Sequence, residues 1–463
     1  MGTKLLCWGW RGLLGLVGLA VLSLAMLWGL PKWVGVHEQP APARESLALA
    51  GVTVVNPGEA AQVDVTVLIE DGRIWAVQSA GEAIPAGFRR IDAQGRWLMP
   101  GLIDLHVHAF DESDLRLLLA HGVTTARNML GLPMHLRLRE AVQGGRLAGA
   151  RLITAGPTLN GADVPMHSRV STAEQARSAV RESKAAGYDL VKVYDQIGAE
   201  AFAAAIDEAG KQGMKVAGHL PASVPFAQVR QAFVSIEHAE ELLQNDLKSA
   251  SDEAIDAFAA EWATDGTPLV ASLQIVQRLS DICGQGETAV AAHESTDLNP
   301  LVAWLGRKSL SNFAIGDEGC SEWRAQVERM HFVVARLHAA GVPIALGSDS
   351  GPHMTVAGRA TLDEVQRLHQ AGLSNEDVLR AGTVIAAAVL GKTDELGRIA
   401  PGYRADAVLL GSDPRSVLST LERPQALLAD GRWYDAAAHQ ALLEQGGEHA
   451  GWWLTAGRLF EGL

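Results

Sequence analysis

The chain has 463 residues, with 39 lysines and arginines against 53 aspartates and glutamates and a formal net charge of −14. At roughly 150 residues per domain this length implies two or three domains, and a hydrophobic content of 48% excludes disorder as the main state. The acidic balance argues against a nucleic-acid partner, whose phosphates need a basic surface, and three cysteines exclude a disulfide-built scaffold. Only nine of the 39 basic residues are lysines, so a lysine in an unusual place is informative.

Gly12 to Leu30 are nineteen consecutive uncharged residues. As a helix they would reach about 28 Å, close to the thickness of a bilayer core. Lys4 and Arg11 precede the run, and Trp8, Trp10, Trp28 and Trp33 flank it as interfacial aromatics do. Residues 1–33 read as a retained N-terminal membrane helix, with a cleaved signal as the alternative. The run is longer than the roughly 7–15 apolar residues of a signal. Positive charge on its N-terminal side puts the rest of the chain outside the cytoplasm, on the periplasmic side. Residues 34–46, with Gln39-Pro40-Ala41-Pro42-Ala43, read as a stiff linker. Cys7 lies before the apolar run; Cys283 and Cys320 remain, either as a bonded pair in an oxidising compartment or as two thiols.

Residues 47–100 alternate as short strands: Val63 to Ile69, a hairpin turn at Asp71-Gly72, then Ile74 to Val77. The same grammar returns within 392–435, with a strand from Asp406 to Leu410 and a turn at Asp430-Gly431. These two segments read as one split β domain. Between them, in 101–391, eight apolar runs alternate with helical stretches: Gly101–Val107, Val123–Asn128, Arg151–Ala155, Leu190–Tyr194, Met214–His219, Val234–His238, Pro268–Leu273 and Pro343–Asp349. That count points to an α/β fold, a (β/α)8 TIM-like barrel carrying a small split β-sandwich, with an open doubly wound sheet as the rival. Gln274 to Glu322 reads as a long loop and a lid candidate. The tail, 436–463, holds an amphipathic stretch and Trp452-Trp453; it packs on the barrel or on a second subunit, which makes a homo-oligomer one expected assembly, with membrane contact as the weaker alternative.

Polar residues fall repeatedly at the ends of these strands. In Asp104-Leu105-His106-Val107-His108, alternation turns His106 and His108 to the same face, into the barrel. Two imidazoles there need partners for their lone pairs, and a divalent metal supplies one. Lys192 and Tyr194 share a face of the fourth strand. An ammonium facing a barrel interior is costly unless paired or chemically altered. Either Lys192 pairs with Asp195 or Asp104, or carbon dioxide converts it to a carbamate that bridges two metals. His219, His238 and Asp349 end the fifth, sixth and eighth strands. Nitrogen and oxygen ligands without cysteine suit Zn2+, with Mn2+, Fe2+ or Co2+ as alternatives.

The ordered set His106-x-His108, Lys192, His219, His238 and Asp349 resembles the amidohydrolase superfamily. Within it the chain resembles the imidazolonepropionase-related branch, which includes metal-dependent dipeptidases and amidases. Gly397-Arg398-Ile399-Ala400-Pro401-Gly402-Tyr403-Arg404-Ala405-Asp406 is similar to the family's signature after the barrel, and Gly122-Val123-Thr124-Thr125 to its second strand. The resemblance covers about residues 47 to 435. It implies two divalent metal ions, one on His106, His108 and Asp349 and one on His219 and His238, bridged by carbamylated Lys192.

It also implies a hydrolase of the amide C–N bond of a small molecule: a dipeptide, an N-acyl amino acid or a cyclic amide. A hydroxide held between the metals would attack, with Asp349 as general base and then acid. Tyr194 would hydrogen-bond the developing oxyanion, and His167 and His353 would contact substrate. Lactone or phosphoester hydrolysis is an alternative on the same site. Deamination is a weaker one, since Ala222 stands where deaminases of the family carry a glutamate. A metal-free, membrane-tethered binding protein is the non-catalytic alternative.

Overall fold

The computed structural model describes residues 35–283, 297–310 and 317–461. The expected membrane segment, Gly12 to Leu30, lies outside them. Among the described residues no helix is long and apolar enough to cross a membrane.

The chain first lays down β1 (Leu47–Val54), β2 (Gln62–Glu70), β3 (Arg73–Ser79), β4 (Arg89–Asp92) and β5 (Trp97–Pro100). The β2–β3 hairpin turns at Asp71-Gly72, both at positive φ (48° and 77°), the geometry that matches strand twist in a two-residue turn. Ten strands later the same sheet resumes. The barrel strands intervene: β6 (Leu102–Val107), β7 (Val123–Asn128), β8 (Arg151–Thr154), β9 (Thr158–Asn160), β10 (His167–Arg169), β11 (Leu190–Val193), β12 (Lys215–Gly218), β13 (Ile236–Glu237), β14 (Leu269–Val270) and β15 (Ile344–Ala345). Then β16 (Ala407–Leu410) pairs antiparallel with β5, β17 (Ala426–Ala429) with β16 and β18 (Arg432–Tyr434) with β17. Both ends of the chain therefore share one hydrogen-bonded sheet of eight strands, where the sequence suggests a sandwich. Leu47, Leu49, Val67 and Ile69 from one end pack in a common core with Leu409 and Leu428 from the other.

All eight expected barrel strands are present, most of them one to three residues shorter at their ends than the apolar runs, and every pairing among them is parallel. A bridge between Ala155 and Leu190 joins β8 to β11. The ring closes between the last and first strands: Leu105 N donates to Leu346 O at 3.0 Å and Asp349 N to His106 O at 2.7 Å. That closure excludes the open-sheet rival. It also explains two glycines of Gly347-Ser348-Asp349-Ser350-Gly351. A Cβ at Gly347 would lie 2.2 Å from Val270 Cγ1, and one at Gly351, where φ is 108°, would lie 2.3 Å from His108 O. Glycine at 347 leaves room for Val270 on the neighbouring strand β14, and glycine at 351 lets the seam close on His108.

The stretch from Gln274 to Glu322, expected as a loop, is helical over much of its length. Helices span Leu273–Ile282, Pro300–Leu310 and Asp317–Ala339. Leu273, Val276, Leu279 and Ile282 repeat every three residues on one buried face, which is a helix signal. Residues 284–296 and 311–316, where the lid expectation also falls, are outside the described residues. A disulfide joins Cys283 to Cys320, with Cα atoms 5.3 Å apart.

Helices Ala436–Gln445 and Trp452–Phe460 fold the C-terminal tail back onto the barrel. Buried Asp111, three residues beyond His108, accepts from Asn299 Nδ2 at 2.8 Å and from Ala450 N and His449 Nδ1 at 3.1 Å. Arg458 donates twice to Glu112, at 2.8 and 2.7 Å, with both side chains buried.

Candidate metal centre

Side chains from six strands converge at the C-terminal mouth of the barrel. His106 and His108 project from the end of β6 on the same side, as alternation requires: their Nε2 atoms lie 3.6 and 3.1 Å from Asp349 Oδ1. At two other positions alternation is broken. His238 and Asp349 have φ of 68° and 51°, the left-handed region that histidine and aspartate visit more readily than most residues. In an extended strand Glu237 and His238 would face opposite ways. With the left-handed turn, Glu237 Oε2 reaches His106 Nδ1 at 2.8 Å while the His238 ring lies 4.5 Å from the His106 ring.

The remaining candidates join the same cluster. The His219 ring is 4.6 Å from that of His238 and 4.1 Å from that of Tyr194, whose ring is 5.0 Å from that of His167. His167 sits in β10, near Asn160 Nδ2 at 3.4 Å. His353 lies in the turn Pro352–Met354, at φ 52°, within the electrostatic reach of Asp349 and His108. Lys192, buried on β11, holds its Nζ 3.3 Å from His106 Nε2. Neither Asp104 nor Asp195 pairs with it. Asp104 instead accepts from His106 N at 3.1 Å, Ser348 N at 3.0 Å and Thr361 Oγ1 at 2.6 Å, so it holds the seam.

Burial sets the charges. It pushes His106 and His219 well below the usual imidazole range, His238 down to about 3 and His167 down to about 4. Burial also lowers Lys192, against the pull of Asp349, Glu237 and Glu241. Burial would raise Asp349, but the His108 ring, 3.1 Å from its Oδ1, and nearby His238 and Lys192 outweigh it and hold the carboxyl below its usual range. Burial pushes the Tyr194 hydroxyl up to about 12. The mouth thus offers neutral imidazole lone pairs around an ionised carboxylate.

Three further residues act here that the sequence reading passes over. Glu237, fully buried, joins His106 to Arg127, whose Nη2 donates to Glu237 Oε1 at 2.7 Å. Arg127 also donates through Nε to Leu105 O at 2.6 Å, and Ser235 Oγ donates to Glu237 at 2.6 Å. Glu241 bonds His219 Nδ1 and the Leu220 amide. A charged residue inside an apolar barrel strand, as at Arg127 and Glu237, is the signal that could have found the first two. Glu241 stands in a short helix after β13 and has no such mark.

The residues fit a divalent ion. One ligand atom each from His106, His238 and Asp349 lie within 4.8 Å of one another. In this trio His238 stands where the expected triplet has His108. Buried His238 Nδ1 and Asp349 Oδ1 make no hydrogen bond of good geometry, although His108 Nε2 is near the latter. Buried polar atoms without a partner are costly, and a metal ion would satisfy these two.

Comparison with known proteins bears on the chemistry. A family model described as "Amidohydrolase family" matches residues 97–434. An imidazolonepropionase from Cereibacter sphaeroides is 25% identical over 402 residues, covering 82% of this chain and 96% of its own. The solved structure of a bottromycin amidohydrolase superposes with a TM-score of 0.73 at 24% identity, over 87% of this chain and 90% of its own. A Xaa-Pro dipeptidase with methionine bound in its active site superposes with a TM-score of 0.66 at 20% identity, over 85% of this chain and all of its own. At these identities the two structures speak for the fold alone.

Proposed function

The chain belongs to the amidohydrolase family and is a hydrolase acting on carbon–nitrogen bonds; from that premise we propose that it cleaves the amide bond of a dipeptide, an N-acyl amino acid or a cyclic amide at the barrel mouth. His106, His238 and Asp349 would hold a divalent metal, with His108, His219 and Lys192 completing a site for two. Such an ion, when bound, polarises a carbonyl and makes water a stronger acid. The observation that carries this reading is the group His106, His238 and Asp349, with one ligand atom each within 4.8 Å of one another, among imidazoles whose charged form burial disfavours.

The chain's own groups have distinct tasks. Ionised Asp349 takes a proton from the attacking water and returns it to the leaving nitrogen, base first and acid second. Tyr194, kept protonated, donates a hydrogen bond to the carbonyl oxygen as negative charge builds there. His167 and His353 contact the substrate. Lys192, its ammonium disfavoured by burial, would react through its neutral amine, whose nitrogen lone pair attacks the carbon of carbon dioxide as one C=O π pair moves to oxygen. The new N–C bond forms with loss of one proton and leaves a carbamate, an oxygen ligand where an ammonium would repel a cation. Membership of the amidohydrolase family supports an amide substrate.

The test is reconstitution of the purified chain with zinc and bicarbonate, followed by a panel of dipeptides, N-acyl amino acids, cyclic amides, lactones and phosphoesters. Amide turnover that depends on metal is expected. A folded, metal-loaded protein that hydrolyses only lactones or phosphoesters would move the reading to those bonds, and one that binds no divalent ion would end it.

A further inference from the structure

Two helices beside the barrel mouth expose an unusual run of large apolar side chains. Trp453 is 67% exposed, Leu305 44%, Phe460 39% and Trp304 38%. Trp304 and Leu305 lie on the helix Pro300–Leu310, and Trp453 and Phe460 are seven apart on one face of Trp452–Phe460. The two helices meet edge to face at Trp304 and Trp452, with ring centroids 5.5 Å apart. Lys308 Nζ sits 4.1 Å above the Trp304 ring. Large exposed apolar side chains gathered on two touching helices mark an interaction site.

Where the chain arrives identifies the partner. Gly35 is the first described residue, and its carbonyl accepts from Arg458 Nη2, on the helix Trp452–Phe460, at 2.8 Å. Immediately upstream runs the uncharged sequence Gly12 to Leu30, bracketed by four tryptophans. The five residues from Leu30 to Gly35 can span at most about 18 Å. An apolar segment on so short a tether holds this face within that distance of whatever the segment enters.

We infer that the face formed by Trp304, Leu305, Trp453 and Phe460 seats in the headgroup region of a lipid bilayer. Tryptophan is the residue type that prefers that depth, because its ring is apolar and its N–H is wet. A cation stacked on Trp304 suits the phosphate level just above it. With a net charge of −14 the chain gains nothing from long-range attraction to anionic lipid, so contact rests on apolar insertion and resists salt. The helix Pro300–Leu310 also packs on the mouth: a Cβ on Gly306 would lie 2.7 Å from Met354 Cγ, next to His353. Docking therefore brings the rim of the mouth to the lipid surface. This inference does not depend on the reaction catalysed.

The test uses the full chain in vesicles of phosphatidylcholine and phosphatidylglycerol containing shallow-brominated phosphatidylcholine, which quenches tryptophans at the interface. Wild type is compared with the double variant Trp304→Phe and Trp453→Phe. Quenching is expected to fall by about a third, since two of six interfacial tryptophans are gone, and to hold at high salt. Equal quenching in both proteins overturns the inference. A second variant, Trp453→Glu with Phe460→Glu, keeps the fold as read by circular dichroism and should raise amide exchange over 452–460 in vesicles. If that exchange instead rises only on dissociation of a lipid-independent dimer, the face is a contact between copies and the bilayer reading fails.

Discussion

Two buried polar clusters lie one loop apart and are built on opposite plans. At the mouth, His238 Nδ1 and Asp349 Oδ1 are left without well-formed hydrogen bonds, and Lys192 faces an imidazole instead of a carboxylate. Three residues past His108, Asp111 accepts from four donors on three separate segments, and Glu112 is clamped twice by Arg458. Both clusters bear the cost of burying charge; only the second spends its lone pairs on holding the chain together. A site that must bind and release something keeps atoms in reserve, whereas a strut does not.

That contrast predicts opposite responses to substitution. Asp349→Ala should lower amide turnover by on the order of 10^3-fold or more while leaving the melting temperature unchanged or raised; activity and calorimetry on the same sample decide it. Arg458→Met should do the reverse, costing about 3–5 kcal/mol because Glu112 is left charged and buried, with turnover per folded molecule retained. Equal effects of the two on stability would erase the distinction drawn here.

A third response is to pH, at a histidine outside both clusters. His135 is buried with both ring nitrogens used: Nδ1 accepts from Leu132 N at 2.9 Å and Nε2 donates to Ala109 O at 2.7 Å. Burial pushes it down to about 4, against about 6.5 in an unfolded chain. The folded state therefore binds fewer protons, and stability falls as pH drops from about 6.5 towards 4, by about 3 kcal/mol for this residue. Urea unfolding of His135→Gln should show a shallower acid limb. The smallest effect is expected behind the mouth, where Glu237 links His106 to Arg127. Glu237→Gln keeps the shape but weakens the hold on His106, and zinc affinity should fall by about 10- to 100-fold, measured by competition with a chelator.

The barrel was legible because its strands are apolar runs with polar residues at their ends, and that pattern survives without any knowledge of packing. The hairpins were legible for a similar reason: aspartate-glycine pairs mark two-residue turns locally. What escaped reading was set by contacts between distant parts of the chain. Glu237 looked like a neighbour of a ligand, and only the left-handed backbone at His238 lets both side chains reach His106. Arg127 meets Glu237 across 110 residues. The stretch Gln274 to Glu322 reads as a loop when taken whole, yet its opening is helical because Leu273, Val276, Leu279 and Ile282 share one buried face.

The seam between β15 and β6 has a consequence for how the molecule comes into being. His106, His108 and Asp349 all flank the hydrogen bonds that shut the ring, Asp349 N to His106 O at 2.7 Å and His108 N to Ser350 O at 2.8 Å. A nascent barrel still open at that edge has no assembled centre, so activity switches on with the final stitch. A ligand for the finished centre would then act as a clasp, favouring the sealed ring over every unsealed precursor.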